Sequence, residues 1–259
     1  MKLSKVRLYY KLLKKRHSIF FFEVLLGALF ALNFTVSQEF LLKSVLIFCI
    51  FQPFYWALYI INDIFDVEDD RKHPIKKKRV IASGKVSKKE ASILALTIIF
   101  FSFIFATIIS PLFLFLEILF LILNLFYTKV FKHIAYIDSI WNSLTHPLRF
   151  ILGVLLFNGN VEFYPVIFLF VIALALAYIR RYKELSAHEE GRKSLKRYKL
   201  DHIPVFVSLL LVLMFILALS DESQYQNLYL YLSIFGGFFS VNYFGNEKFQ
   251  NGFNKIFEF

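Results

Sequence analysis

The chain has 259 residues, of which 58% are hydrophobic and 34 are Phe, and it carries a formal net charge of +11. That apolar share exceeds what the core of one water-soluble domain needs and is typical of a membrane-embedded protein. Hydrophobic segments separate the basic residues into short groups, which argues against nucleic-acid binding. Cys49 is the only cysteine, so an intramolecular disulfide is excluded.

Eight hydrophobic segments follow one another along the chain, each near the ~20 residues that cross a bilayer. The first follows a basic stretch but has no clear cleavage site, so we predict a retained span rather than a signal peptide. The sequence thus predicts an all-α, polytopic transmembrane helical bundle of eight spans, and leaves open a ninth helix after Gly245. The predicted spans are 18–37, 42–62, 90–109, 112–128, 136–157, 162–180, 203–220 and 227–245.

The positions of the basic residues predict how the bundle is oriented. If residues 1–17 are cytoplasmic, eight spans place the other strongly basic loops on the same side. Of the 30 Lys and Arg, only Lys43 lies near the opposite side, and Arg149 lies within a span. This is the positive-inside pattern of membrane proteins. The loops expected in the cytoplasm are 63–89, 129–135, 181–202 and 246–259.

We therefore expect one membrane-embedded domain over residues 1–259, integral to the cell membrane, with a cytoplasmic N-terminus. The long cytoplasmic loops 63–89 and 181–202 are the candidates for catalytic loops. The bilayer itself is an expected partner, because basic loops attract anionic lipid head groups. The sequence leaves open whether the chain forms a homo-oligomer.

The second predicted span ends in an acidic cluster. At about 100° per helical residue, the side chains of Asn62, Asp63, Asp66 and Asp70 share one arc. Crowded carboxylates repel each other unless they bind a hard cation, and Mg²⁺ takes carboxylate oxygens together with substrate phosphates. A solvated acidic turn is the structural alternative, but ionisable groups beside a membrane span indicate function. These four residues are therefore the predicted catalytic Mg²⁺ ligands.

A basic run follows the acidic cluster directly, and it includes Lys72, Lys78 and Arg79. Pro74 predicts that the helix ends near His73. A carboxylate-bound metal beside a cationic loop suits a polyanionic substrate, because both neutralise charge on a departing diphosphate. Topology alone would also explain several of these lysines.

The pattern Asn62-Asp63-x-x-Asp66-x-x-x-Asp70 resembles the first aspartate-rich motif of the UbiA superfamily of intramembrane prenyltransferases. The resemblance implies a helical bundle, generally of nine spans. It also implies two such motifs that face each other and bind a diphosphate through Mg²⁺.

The position of the second motif, after the sixth span, departs from the superfamily pattern. Glu184 is the only carboxylate in its first turns. Arg180, Arg181, Glu184 and His188 fall within about 100° on a helix. This mainly cationic face suits a substrate with additional phosphate groups, through bidentate arginine contacts.

The run from Arg181 to Leu185 is similar to the polyprenyl-phosphate (decaprenyl-phosphate) phosphoribosyltransferase branch of that superfamily. Residues 62–84, 127–133 and 148–153 resemble the same branch. The resemblance implies Mg²⁺-dependent transfer of a 5-phosphoribosyl group from phosphoribosyl pyrophosphate to a long-chain polyprenyl phosphate, in cell-wall biosynthesis. A phosphate acceptor is already anionic, so catalysis would rest on orientation, metal charge and cationic clamps. The expected substrate-binding residues are Lys72, Lys78, Arg79, Tyr127, Lys132, Asp138, Asn142, Arg149, Arg180, Arg181, Tyr182, Glu184 and His188.

The fifth span carries a polar face made of Asp138, Asn142, Thr145 and Arg149, within about 60°. A charge inside the membrane must face a partner or a water-filled cavity. Either these residues line the substrate chamber and Arg149 contacts phosphate, or Asp138 and Arg149 form a structural ladder without substrate contact. At the exit of the fourth span, Lys132 would contact phosphate or only set the topology.

Two isolated acids also lie at membrane depth, Glu23 and Glu117, and the sequence names no partner for Glu117. Two other functions stay open. A conventional UbiA prenyltransferase would move a prenyl group from a prenyl diphosphate to an aromatic or glycerol-phosphate acceptor, but the second metal motif is depleted here. A transporter would need polar residues through both leaflets, whereas nearly all of them lie on the cytoplasmic side.

Overall fold

The computed structural model of the chain describes residues 2–73, 75–186 and 194–256. These residues form α-helices joined by turns and short 3-10 segments, so the predicted all-α class is confirmed. The helices are α1 (Lys2–Leu12), α2 (Phe21–Ala31), α3 (Gln38–Phe65), α4 (Val67–Lys72), α5 (Lys88–Ile109), α6 (Pro111–Lys129), α7 (Ile137–Leu156), α8 (Phe163–Ser186), α9 (His202–Ser220), α10 (Gln226–Gly245) and α11 (Glu247–Ile256).

Three serines fix where the long helices α3, α5 and α6 begin. The side-chain oxygens of Ser37, Ser87 and Ser110 each accept a hydrogen bond from the backbone amide three residues later. These caps satisfy amides that have no partner within the helix. The Glu90 side chain accepts from the Ser87 amide in return, which completes a capping box. Pro111 occupies the first turn of α6, where no amide donor is needed.

Within the described part of the chain, five helical segments are long and apolar enough to cross a membrane: α3, α5, α6 with the turn up to His133, α8 and α9. Helices α2, α7 and α10 occupy the other predicted segments, but α2 has only 11 residues and α7 carries Asp138 and Arg149. Helix α11 has 10 residues. It rises about 15 Å, half of the ~30 Å hydrocarbon layer. The count of eight spans stays a prediction.

The chain divides into two compact units, and the division falls within α7, after Pro147. Unit 1 comprises residues 1–131 and 148–161, and α3 is its central helix, packed against α5 and α6. Unit 2 comprises residues 132–147 and 162–259, and α8, α9 and α10 pack together within it. That residues 1–259 act as a single transferase domain stays a prediction.

Within unit 1, helices α2 and α7 touch backbone to backbone. A Cβ atom on Gly27 would lie 2.0 Å from the Phe150 carbonyl oxygen, and one on Gly153 would lie 1.9 Å from the Val24 carbonyl oxygen. Only glycine fits at such distances, and small residues allow the same close approach between helices in membranes. This crossing brings the start of α2 beside the charged side chain at position 149.

Candidate functional site

The acidic motif follows a nearly continuous helical path from α3 into α4. Asp66, between the two helices, keeps right-handed helical angles (φ −87°, ψ −1°). Its amide donates to the Asn62 carbonyl at 3.0 Å, and the Asp70 amide donates to the Asp66 carbonyl at 2.8 Å. The backbone turns extended at His73, directly before Pro74, where the sequence predicted the helix to end.

Asp63 and Asp70 are nearly buried, with 7% and 4% of their surface exposed, and they converge on one cationic group. The guanidinium of Arg79 donates through Nη1 to Asp63 Oδ1 at 3.1 Å and to Asp70 Oδ2 at 2.8 Å. Burial raises the pKa of the Asp70 carboxyl, and Arg79 opposes that shift. A single positive charge is thus held between the two carboxylates.

A second cation, from the N-terminal segment, reaches the same carboxylate. Lys14 Nζ donates to Asp63 Oδ1 at 2.7 Å and lies 5.5 Å from the centre of the Tyr59 ring. The His17 ring also stacks on the Tyr59 ring, with centroids 4.2 Å apart. Burial lowers the pKa of the Lys14 amine, although Asp63 opposes the shift. Nothing in the sequence distinguishes Lys14 as a site residue, because topology alone explains it and its basic neighbours.

Asn62 is oriented by α6. Its side-chain oxygen accepts a hydrogen bond from the buried Thr128 hydroxyl. Thr128 could not be identified from the sequence either, since a lone threonine at the end of a span carries no distinguishing signal. The neighbouring Tyr127 is half-buried, and Lys72 and Lys78 are exposed on α4 and on the turn that follows it.

The donor set of the motif fits a hard divalent cation. Mg²⁺ is held by one or two carboxylates, waters and substrate phosphates rather than by a cage of protein ligands. Asp63 Oδ1 and Asp70 Oδ2 both contact the positively charged Arg79 Nη1, so the two oxygens lie close to one position that a cation could occupy. Among the residues that the structure describes, no three His, Cys, Asp or Glu side chains are grouped for metal binding. The metal role of Asn62, Asp63, Asp66 and Asp70 therefore stays a prediction.

Arg149 is held within unit 1 by partners that the sequence did not identify. Its side chain is 1% exposed, and it donates to Glu23 Oε2 at 2.6 Å and to the Tyr55 hydroxyl at 2.7 Å. It also lies 4.9 Å from the centre of the Phe20 ring. Glu23 and Tyr55, rather than a ladder to Asp138, thus hold the Arg149 side chain.

Asp138 is instead the centre of a buried network in unit 2. Its Oδ2 accepts from Arg181 Nε at 3.0 Å, from Arg181 Nη2 at 2.9 Å and from Ser194 Oγ at 3.3 Å. Its Oδ1 accepts from the Tyr198 hydroxyl. Burial and this bond raise the pKa of Tyr198. Both oxygens of the fully buried carboxylate are therefore satisfied by neighbouring side chains.

The cationic face predicted on α8 is only partly available to a ligand. Arg181 is nearly buried and also donates to Glu184 Oε2 at 2.5 Å. Arg180 is 52% exposed and lies 3.6 Å from Glu184 Oε1. The Tyr182 ring packs within unit 2 against Phe244, at 4.9 Å between centroids.

Two further predicted residues lie on α7 and in the turn before it. Asn142 and Lys132 are half-buried, the first on α7 and the second in the turn before it. His188 lies outside the described residues. Their roles in substrate binding stay predictions.

Comparison with known proteins agrees with this architecture. A family model described as the UbiA prenyltransferase family matches residues 20–245. A decaprenyl-phosphate phosphoribosyltransferase of Mycobacterium tuberculosis is 30% identical over 169 residues, which cover 62% of this chain and 54% of that protein. An uncharacterized protein of Sinorhizobium fredii is 33% identical over 140 residues, 52% of this chain and 27% of that protein. The chain thus spans about half the length, or less, of the curated relatives that it matches.

Solved structures share the fold. A UbiA homolog from Archaeoglobus fulgidus, bound to GPP and Mg²⁺, superposes with a TM-score of 0.69 at 18% identity, covering 89% of this chain and 86% of that one. The structure of a digeranylgeranylglyceryl phosphate synthase superposes with a TM-score of 0.73 at 22% identity, covering 98% and 93%. The family match extends over most of the chain, and the helices α3, α5, α6, α8 and α9 suit a bilayer. The chain belongs to the UbiA prenyltransferase family of integral membrane transferases.

Proposed function

We propose that the protein transfers a 5-phosphoribosyl group from phosphoribosyl pyrophosphate to a polyprenyl phosphate, releasing diphosphate. One observation carries the proposal. The described helix α8 carries one carboxylate in its last turns, Glu184, and it is paired with Arg180 and Arg181. That mainly cationic arrangement suits the phosphate groups of a sugar donor better than a second metal site for a prenyl diphosphate. The similarity to a phosphoribosyltransferase of M. tuberculosis supports the same choice.

In this proposal the acidic motif binds the diphosphate end of the donor. A divalent cation held by Asp63 and Asp70 would neutralise charge on the leaving diphosphate. Arg79 and Lys14, which now neutralise those carboxylates, would then pair with phosphate oxygens of the donor. Thr128 keeps the Asn62 side chain fixed beside them.

The transfer itself needs no strong base. A phosphate oxygen of the lipid acceptor forms a bond to C1 of the ribose, and the bond from C1 to the diphosphate oxygen breaks. The bonding electrons leave with the diphosphate, and no proton has to move. The contribution of the protein is then the orientation of two anionic substrates and the neutralisation of their charge.

The orientation predicted from the loops belongs to this proposal. A water-soluble donor requires that the acidic motif, residues 1–17 and the loop 181–202 face the cytoplasm, while the lipid acceptor enters from the bilayer. The distribution of Lys and Arg supports that orientation.

A second candidate is a conventional prenyltransferase, which the fold favours because a solved homolog holds GPP and Mg²⁺. A donor comparison separates the two candidates. Purified protein in nanodiscs receives Mg²⁺, polyprenyl phosphate and either labelled phosphoribosyl pyrophosphate or labelled geranyl diphosphate. We expect lipid-extractable label only from the first donor. Label from geranyl diphosphate in the presence of a prenyl acceptor, and none from the sugar donor, would establish the second candidate.

A further inference from the structure

A carboxyl group outside the acidic motif lies inside unit 1, within the candidate span Pro111–His133. Glu117 is 0% exposed, and its Oε1 lies 2.8 Å from the Ser102 hydroxyl of α5. Its Oε2 has no hydrogen-bond partner. Among the described residues, Ser102 is the group that interacts with this carboxyl, and no cation is paired with it. An ionised carboxylate would thus keep its full charge at membrane depth, with a single hydrogen bond.

The hydrogen bonds around Ser102 indicate whether the Glu117 carboxyl is protonated. The Ser102 oxygen lies 3.1 Å from the Ile50 carbonyl oxygen of α3, as well as near Glu117. A hydroxyl has one proton to donate, and a backbone carbonyl can only accept. If Glu117 were ionised, Ser102 would face two acceptors with one proton. If Glu117 is protonated, it donates to Ser102, which donates to Ile50, and both contacts are satisfied.

This chain of hydrogen bonds lies beside a proline in α3. Pro53 has no amide proton for the Cys49 carbonyl four residues earlier, and Ile50 directly follows Cys49. Hydroxyl groups of neighbouring helices support the backbone at such points in membrane helices. The carboxyl of α6, the hydroxyl of α5 and the carbonyl of α3 thus join three helices at the level of the proline.

We infer that Glu117 is a neutral carboxylic acid that links α6 through Ser102 to α3. It is therefore the site at which an apolar carbodiimide modifies the embedded part of the chain. In that reaction the acid proton moves to one carbodiimide nitrogen, and a carboxyl oxygen bonds to the central carbon. Migration of the acyl group to nitrogen then gives an N-acylurea that keeps every atom of both reactants. The inference is independent of the proposed function.

The chain contains a matched control. Glu23 also lies at membrane depth, but it accepts a hydrogen bond from Arg149 at 2.6 Å and is held ionised by that cation. The carbodiimide reaction needs the acid proton, so Glu23 should not react. Asp63 and Asp70 are paired with Lys14 and Arg79 and should be protected in the same way.

The test uses the full-length protein in nanodiscs at neutral pH. Dicyclohexylcarbodiimide is added to the wild type and to the variants Glu117→Gln and Glu23→Gln, and the labelled peptides are mapped by mass spectrometry. We expect the added mass on Glu117 in the wild type and in Glu23→Gln. Absence of label on Glu117, or label on Glu23 in its place, overturns the modification site.

Infrared spectroscopy tests the protonation state without a reagent. The spectrum of the wild type should contain a carbonyl stretch of a protonated carboxyl group that is lost in Glu117→Gln and shifted in Ser102→Ala. Glutamine retains a donor for Ser102, so the first variant should fold. Identical spectra of the wild type and Glu117→Gln in that region overturn the neutral acid.

Discussion

Arg79 Nη1 lies 2.8 Å from Asp70 Oδ2, and the same nitrogen bridges to a second carboxylate at position 63. Two carboxylates of the acidic motif are therefore neutralised by side chains of the protein itself. A divalent cation that takes these carboxylate oxygens must compete with Arg79 and with Lys14. The two basic side chains would then be released toward the phosphate groups that accompany the metal.

Replacing Lys14 should have opposite effects on the binding of a metal ion and on the binding of diphosphate. In Lys14→Ala, Asp63 loses a charge-assisted hydrogen bond, so Mn²⁺ binding without substrate should tighten by about tenfold, ~1.4 kcal/mol. Binding of inorganic diphosphate with the metal present should weaken. Both are measured by isothermal titration calorimetry. Lys11→Ala, at an exposed position of α1, is the control and should change neither. Weaker Mn²⁺ binding in Lys14→Ala contradicts the competition.

The acidic motif should be essential for turnover and dispensable for folding. We expect Asp63→Asn, Asp66→Asn and Asp70→Asn each to lower kcat by roughly 10²-fold or more, because each removes stabilisation of the leaving group. Circular dichroism and the elution volume should stay unchanged. Glu68→Gln is the control, because this exposed carboxylate pairs with Lys88 instead. Near-normal turnover in the three aspartate variants rules out their assignment as metal ligands.

The pair of Asp138 and Arg181 should be structural, whereas Arg180 should affect substrate binding. Removing one partner of a buried ion pair leaves an unpaired charge, which costs about 3–5 kcal/mol. Asp138→Ala should therefore lower the Tm strongly. Arg180→Ala, at a side chain that is 52% exposed, should keep the Tm and raise the KM for the sugar donor. Equal thermal stability of Asp138→Ala and the wild type would show that the network in unit 2 does not form.

Removing one partner of the Glu23–Arg149 pair should also lower the stability strongly, because the arginine is 1% exposed. Glu23→Ala leaves the buried charge of Arg149 without a carboxylate partner, and it should destabilise unit 1 by about 3–5 kcal/mol. Gly153→Ala should have a similar effect, since its new Cβ would lie 1.9 Å from a backbone oxygen of α2. Thermal unfolding in detergent measures both. Glu39→Gln, at an exposed site at the start of α3, is the control. A Tm of Glu23→Ala within error of the control contradicts the pairing.

Much of the helical organisation could be predicted from the sequence, because composition and segment length decide which stretches enter a bilayer. Some of the helix boundaries could not be predicted. Asn33 and Phe34 adopt left-handed backbone angles, with φ of 48° and 59°, so α2 stops at Ala31 before the predicted end at residue 37. The cap at Ser37 then starts α3 earlier than the hydrophobic pattern indicates.

The acidic motif could be predicted because its spacing is local, within a single helical path. Its counter-cations could not, because Lys14 is 49 residues from Asp63 in sequence. The same holds for Arg149, which is 126 residues from Glu23. Such pairs depend on which helices cross, and the crossing of α2 and α7 is set by glycines that carry no charge signal.

The mass of the lipid product tests the central proposal most directly. Protein in nanodiscs is incubated with a polyprenyl phosphate, phosphoribosyl pyrophosphate and Mg²⁺, and the extracted lipid is analysed by mass spectrometry, with Asp63→Asn as the inactive control. The proposal predicts a new lipid heavier by one phosphoribosyl unit, together with one diphosphate for each lipid formed. Unchanged polyprenyl phosphate, from a preparation that transfers the prenyl group of geranyl diphosphate, contradicts it.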